Sequence, residues 1–321
     1  MKILNFGSLN IDYTYDVPHF VRKGETLLAG ELQTFCGGKG LNQSIALKKS
    51  GAQVWHAGAV GKDDGQLLVD ALAGAGVDVS LIRKVDGRSG HAIVQKDASG
   101  ENCIILFGGA NQMLTESQVD GALEKFEAGD ILLVQNETNL VGYIMKKAHA
   151  KGMQIVFNAA PMDANALACP LDLVDYFVLN ESEAEAIARA ILAKDPKTKD
   201  AARIDMRIIH NANTALEQEL DLLSVIDKEY PKAKLVLTVG EDGAVYKDGD
   251  NIYEQGIYHV PVADTTGAGD TFTGFFLGMT AAGKRPMEAL RIAAKAAAIC
   301  VSREGAAVSI PTLEEVTASK I

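Results

Sequence analysis

Asp264-Thr265-Thr266-Gly267-Ala268-Gly269-Asp270-Thr271-Phe272 is a polar, glycine-broken turn that ends in an acid and runs directly into an apolar helical pattern. Phe272, Phe275, Phe276 and Met279 recur at helical spacing, and Gly274 and Gly278 between them permit close packing. Small residues at the mouth of this helix leave its first backbone N–H groups free, and the helix dipole adds partial positive charge there. That is an anion-binding device suited to phosphate. An acid does not help to bind phosphate, so Asp270 points to work on a proton beside it. On this turn alone a capping acid in an ordinary turn fits equally well. The rest of the chain decides.

The chain has 321 residues, 47% of them hydrophobic, enough for one large α/β domain or a large domain with a small appendage. A formal net charge of −11 argues against nucleic acid or an anionic membrane as partner. No apolar run is long enough to span a bilayer, and Met1–Gly7 reads as a short strand and turn, not a signal peptide. Cys36, Cys103, Cys169 and Cys300 are widely spaced, with no C-x-x-C pair. They read as reduced, buried thiols, and the expected location is cytoplasmic.

Strands are expected at Ile3–Phe6, Tyr13–Val17 and Leu27–Phe35. After Gly37-Gly38-Lys39-Gly40-Leu41-Asn42-Gln43 a helix runs to about Gly51. Val54–Gly58 reads as a strand, Gln66–Ala75 as a helix, and His91–Lys96 and Asn102–Phe107 as strands around Ala98-Ser99-Gly100. Thr115-x-x-Gln118 predicts a capping box. Strands at Ile131–Val134, Gln154–Phe157, Tyr176–Leu179 and Leu235–Val239 then alternate with helices at Leu140–Ala150 and from Ser182. Glu241-Asp242-Gly243 predicts a hairpin into Ala244–Tyr246. Helices from about Ala268 and over Met287–Val301 close the pattern. Alternation of this kind implies a parallel sheet covered on both faces. The helix-free pieces at about 10–35 and 90–108 predict a small antiparallel lid on a single domain spanning 1–321. Ala193–Asp200 reads as an exposed charged loop.

No Walker A loop is present: in Gly278-Met279-Thr280-Ala281-Ala282-Gly283-Lys284-Arg285 an arginine replaces the required Ser or Thr. This stretch also ends a helix, where the dipole repels phosphate, and Gly283 reads as its C-cap. Four other patches share a theme. Asn10 and Asp12 stand on one face of a strand end; Gly37-Gly38-Lys39-Gly40-x-Asn42 opens a helix; Glu137 follows a buried strand; Asp270 stands at the phosphate turn. Carboxylates and amides of this kind suit a polyhydroxy ligand. Each has a plainer reading. Asn10 and Asp12 suit a turn, the glycines a tight bend, Lys39 a solvated surface, and Glu137 a first helical turn. Asn180-x-x-Glu183 fits a capping pair, and Thr238–Gly243 only a hairpin.

In order and combination these segments resemble the ribokinase (PfkB) family of carbohydrate kinases over nearly the whole chain. Gly7-Ser8-x-Asn10-x-Asp12 and Gly37-Gly38-Lys39-Gly40-x-Asn42-Gln43 look like the family's sugar-binding segments, and Asp264–Phe272 like its C-terminal signature. The resemblance implies a doubly wound α/β domain with helices on both faces of a mostly parallel sheet, a small β lid, and transfer of the γ-phosphoryl of ATP to a sugar hydroxyl. It implies Asp270 as general base and Gly267, Ala268 and Gly269 as an anion hole. Asn10, Asp12, Gly38, Lys39, Gly40, Asn42 and Glu137, with Asp270, would hold the sugar. Asn180, Glu183, Thr238, Gly240, Gly243 and Gly269 would serve the nucleotide and Mg²⁺. Asp264, Thr266, Cys300, Arg303, Gly305 and Ser309 match a monovalent-cation (K⁺) site. Two departures stand out: Leu179 replaces a proline common before the motif asparagine, and Ser182–Lys234 is unusually long. The expected acceptor is a small furanose such as ribose; fructose, a deoxyribose, another ketose or a nucleoside are alternatives, as is a catalytically silent sugar-binding regulator. A homodimer paired through the lid is expected, because exposed strand edges need cover.

Overall fold

In the computed structural model, residues 1–98, 101–194 and 215–321 are described, with 215–219 as backbone only. The strands are β1 (Lys2–Phe6), β2 (Asn10–Asp16), β3 (Leu32–Gly37), β4 (Gln53–Gly61), β5 (Asp78–Val85), β6 (Gly90–Lys96), β7 (Asn102–Phe107), β8 (Ile131–Gln135), β9 (Gln154–Asn158), β10 (Tyr176–Asn180), β11 (Lys234–Val239), β12 (Gly243–Asp248) and β13 (Asn251–Gln255). The α-helices are α1 (Lys39–Lys49), α2 (Gln66–Gly74), α3 (Glu116–Leu123), α4 (Val141–Ala150), α5 (Ala164–Leu167), α6 (Glu181–Lys194), α7 (Ala215–Glu229), α8 (Ala268–Ala281), α9 (Pro286–Val301) and α10 (Leu313–Ala318).

Nine strands form one sheet in the order β13-β12-β11-β10-β9-β8-β1-β4-β5. All neighbours in it are parallel except the terminal hairpin pairs β11–β12 and β12–β13. Alternation along each strand divides the core. Leu132 and Val134 of β8 face one apolar layer with α3, α4, α6 and α7. Ile131 and Leu133 face the other, with α1, α2, α8 and α9. Each such fully buried aliphatic side chain stabilises the fold by roughly 1.5–3 kcal/mol. Gly274 of α8 lies against α1, where an added Cβ would stand 2.8 Å from Leu47 N. Only glycine permits that approach, as the helix pattern suggested.

The lid is a separate four-stranded sheet, β3-β2-β6-β7. The expectation of an antiparallel lid is corrected: β2 and β6 at its centre run parallel, from Asn10 opposite Gly90 to Asp16 opposite Lys96. The expected strand at Leu27–Phe35 is also corrected, since β3 begins only at Leu32 and Leu28 is 92% exposed. β2 ends just before Pro18, which has no N–H to donate, so residues before Gly30 have no ladder to join. The edge strands β5 and β13 were not expected. Thr115 caps α3 by accepting from Gln118 N at 3.3 Å, but the Gln118 side chain donates instead to Gly58 O at 2.8 Å, so the expected box is half formed. Most of the Ala193–Asp200 stretch, much of the long Ser182–Lys234 segment, and Ser99 and Gly100 lie outside the described residues.

Candidate active site

The parallel strands β8 to β11 end together, and four of their last side chains are polar: Gln135, Asn158, Asn180 and Thr238. The ends of such strands are where ligands of open α/β sheets gather. One cleft there is lined by Lys39, Asn180, Glu183, Thr238, Gly267, Gly269 and Asp270. α8 opens on it. Its N-cap Gly267 has φ +80°, a left-handed conformation that glycine adopts without strain, and a Cβ there would stand 3.2 Å from Ala306. Gly269 faces the cleft, whereas the Ala268 N–H makes a long turn bond to Thr265 O at 3.3 Å.

Asp270 is partly exposed to the cleft but ringed by protein. Asn42 Nδ2 donates to its Oδ2 at 2.9 Å, and Gln43 Nε2 to its Oδ1 at 2.8 Å. Burial pushes its pKa above the ordinary carboxylate value, against the pull of Lys39 and the two amides. Lys39 faces three carboxylates. Burial works to lower its pKa, but Asp270, Glu137 and Glu183 together raise it.

On the lid side, Ser8 Oγ donates to Glu137 Oε2, which also receives Lys39 N at 3.2 Å; Gly40 N donates to Ser8 Oγ at 3.2 Å. Burial raises the Glu137 pKa. Asp12 is pushed up to about 7, first by burial and then by the charge of Glu137. Asn111 Nδ2 donates to Asn10 Oδ1 at 2.8 Å, which fixes that oxygen toward Asn111 and leaves the Asn10 amide nitrogen as a donor. Gly38, at φ +93°, makes the turn from lid to α1.

Asn180 and Glu183 do form a reciprocal cap: Asn180 N donates to Glu183 Oε2 at 3.0 Å, and Glu183 N to Asn180 Oδ1 at 2.9 Å. Glu183 still lines the cleft, and burial raises its pKa. Gly240 and Gly243 sit in the turn between β11 and β12, outside the cleft lining. The expected cation residues gather below the mouth of α8. Thr266 N and Gly305 N donate to Asp264 at 2.9 and 3.1 Å. Cys300 lies 3.0 Å from Ser309 Oγ. The Arg303 guanidinium instead pairs with Glu315 at 2.7 Å. Ser8 and Gln43 stand in the segments read as sugar-binding but were given no role of their own; Asn111, Gln135 and Asn158 were not singled out at all. Polar residues closing apolar strands were the available signal for Gln135 and Asn158.

The model of the pfkB family carbohydrate kinases matches residues 1–313. The ribokinase of Haemophilus influenzae is 34% identical over 315 residues, covering 96% of this chain and 95% of its own. The solved ribokinase of Cryptococcus neoformans var. grubii serotype A, in complex with ADP, superposes with a TM-score of 0.82 at 31% identity, covering 98% of each chain. The ribokinase of Arabidopsis thaliana, complexed with ribose and ATP, does so at 0.80 and 28% identity, covering 98% of this chain and 97% of its own. With a matching family model over nearly its whole length and a cleft at the strand ends, the chain belongs to the pfkB family of carbohydrate kinases, ATP-dependent phosphotransferases.

Proposed function

We propose that this kinase phosphorylates a small furanose, D-ribose to ribose 5-phosphate, with Asp270 as general base. The observation that carries the reading is the Asp270 carboxylate, held by Asn42 and Gln43 beside the mouth of α8. A hydroxyl set beside this carboxylate would lose its proton to Asp270 as it attacks the γ-phosphorus, the bond from that phosphorus to the β,γ-bridging oxygen breaking and ADP leaving. A positioned base is typically worth ~10²–10⁴-fold, and an oxyanion donor about 3 kcal/mol. The rest is positioning. Asn10 offers a donor, Asn42 Oδ1 an unpartnered acceptor, and Asp12 and Glu137 further acceptors, which suits vicinal hydroxyls. The lid shuts out water, the competing acceptor.

Glu183, a carboxylate lining the cleft near Lys39, suits Mg²⁺ carried mostly by phosphate oxygens and water. The ion would neutralise phosphate charge. Asp264 is held below the ordinary carboxylate value: burial opposes this, but its bonds to Thr266 and Gly305 prevail. An ionised Asp264 carboxylate would suit a monovalent cation such as K⁺, with Arg303 contributing by main chain at most.

A coupled spectrophotometric assay with ATP and ribose, deoxyribose, fructose, other ketoses and nucleosides tests the reading. Ribose is expected to give the highest kcat/KM. A faster hexose or nucleoside would replace ribose as the substrate. Sugar binding by calorimetry with no transfer to any acceptor would make the chain a silent regulator.

A further inference from the structure

Behind Asp270 runs a chain of buried amides whose orientations are set by the backbone. Asn5, Gln43 and Gln135 are each 0–1% exposed. At one end, Asn5 Nδ2 donates to the Gly40 carbonyl at 2.8 Å, and a carbonyl can only accept. Asn5 Oδ1 therefore receives Gln135 Nε2, at 2.9 Å, and the same nitrogen donates to Gln43 Oε1 at 2.7 Å. At the other end, Asn158 Nδ2 donates to the Val178 carbonyl at 2.8 Å, so its Oδ1 receives Gln43 Nε2 at 2.8 Å. The oxygen of Gln43 is thus occupied from one side and its nitrogen demanded from the other. Only an N–H remains to face Asp270 Oδ1.

We propose that Gln43 is a positioning residue: its amide, locked in polarity by Asn5–Gln135 and by Asn158, keeps Asp270 ionised and aimed at the acceptor hydroxyl. This rests on Asp270 being the base. Other charges also bear on Asp270. Lys39 on α1 favours its ionised form, while Glu137 after β8 and Glu183 on α6 oppose it. Neither opposing carboxylate is hydrogen-bonded to Asp270. The two amides therefore act on it directly, and a donor to a carboxylate lowers its pKa.

Gln43→Met keeps the volume and removes the amide. With ATP and the fastest acceptor of the sugar panel, we expect kcat to fall about tenfold, the loss of one charge-assisted hydrogen bond. The acid limb of the kcat profile moves to higher pH, and both KM values stay within about twofold. Gln135→Met removes one of the two locks on Gln43 and leaves Asn158 alone to hold its polarity, so it shifts the limb the same way by less. A purely structural role would lower the melting temperature and leave the limb in place. A folded Gln43→Met enzyme with wild-type kcat and acid limb overturns the proposal. If that variant does not fold, the limb in Gln135→Met decides alone: moved, it supports the role; unmoved, it removes it. Asp270→Asn, assayed alongside, separates the two ideas. If it keeps full turnover, the base assignment has failed and not Gln43 alone.

Discussion

Asn42 donates to Asp270 through Nδ2 at 2.9 Å and leaves its own Oδ1 buried with no partner. An unpaired buried acceptor costs roughly 1–3 kcal/mol, so it marks a place where a ligand's donor belongs. In the proposed reaction this one side chain would serve both the base and the acceptor sugar. Asn42→Leu is expected to cut kcat/KM for the sugar by at least about tenfold through both kcat and KM, since both ends of the amide are lost. Steady-state kinetics read this; a change in kcat alone would remove Asn42 from sugar binding.

Asp270→Asn is close to isosteric and cannot take a proton. Turnover is expected to fall ~10²–10⁴-fold while sugar binding by calorimetry and the melting curve stay close to wild type. Turnover within about twofold of wild type, against that expectation, would assign the proton to another group.

Asp12 titrates near 7 in the folded chain and near 3.8 when unperturbed. Folded protein therefore holds a proton there that unfolded protein has lost. The sign follows: this group's contribution to stability is full below about pH 4 and is lost as pH rises through about 7. Asp12→Asn is expected to flatten the decline in melting temperature of the unliganded enzyme between about pH 4 and pH 7. Sugar hydroxyls donating to Asp12 favour its charged form, so sugar affinity should rise with pH up to about 7 and binding should release a proton. Calorimetry in buffers of different ionisation enthalpy measures that release. No buffer dependence near pH 6 would take Asp12 out of the sugar's reach.

The main sheet was legible because its signal is local: short apolar runs such as Ile131–Val134, buried on both faces, alternate with helical patterns. The helix mouth at Gly267 was legible for the same reason, with glycines, acid and apolar helix contiguous. The parallel pairing of β2 with β6 was not, because it joins segments some eighty residues apart and periodicity carries no partner information. Gln43, Gln135 and Asn5 show the same limit. Each is an ordinary polar residue in sequence and becomes part of a network only when α1, β8 and β1 meet. Glu183 was read as either a cap or a cleft residue, and its carboxylate both caps α6 and lines the cleft.

Gly274 tests the packing of the helix that carries Asp270. Its missing Cβ lets α8 lie on α1, where an added carbon would meet Leu47 N and Ala46 C at 2.8 and 2.9 Å, both backbone atoms that cannot step aside. Gly274→Ala is expected to destabilise by about 1–3 kcal/mol, a drop of several degrees in melting temperature. Because α1 carries Lys39 and Asn42, kcat should fall as well. An unchanged melting temperature would mean that the two helices separate freely.

β7 is the edge strand of the lid, and Ile104, Ile105, Leu106 and Phe107 are 52–61% exposed. An open edge flanked by large apolar side chains invites pairing with another chain. A second copy of the same lid would offer the same edge in return, and antiparallel pairing of the two would close the contact with two-fold symmetry. Multi-angle light scattering is therefore expected to give twice the 34.1 kDa of one chain. Ile105→Lys places a charge in the middle of that strand and should yield monomers. Because β7 braces β6, which pairs with the Asp12 strand, the monomer should bind sugar more weakly with little change in KM for ATP. A wild-type enzyme that elutes as a monomer at assay concentration would show that the lid edge is tolerated uncovered.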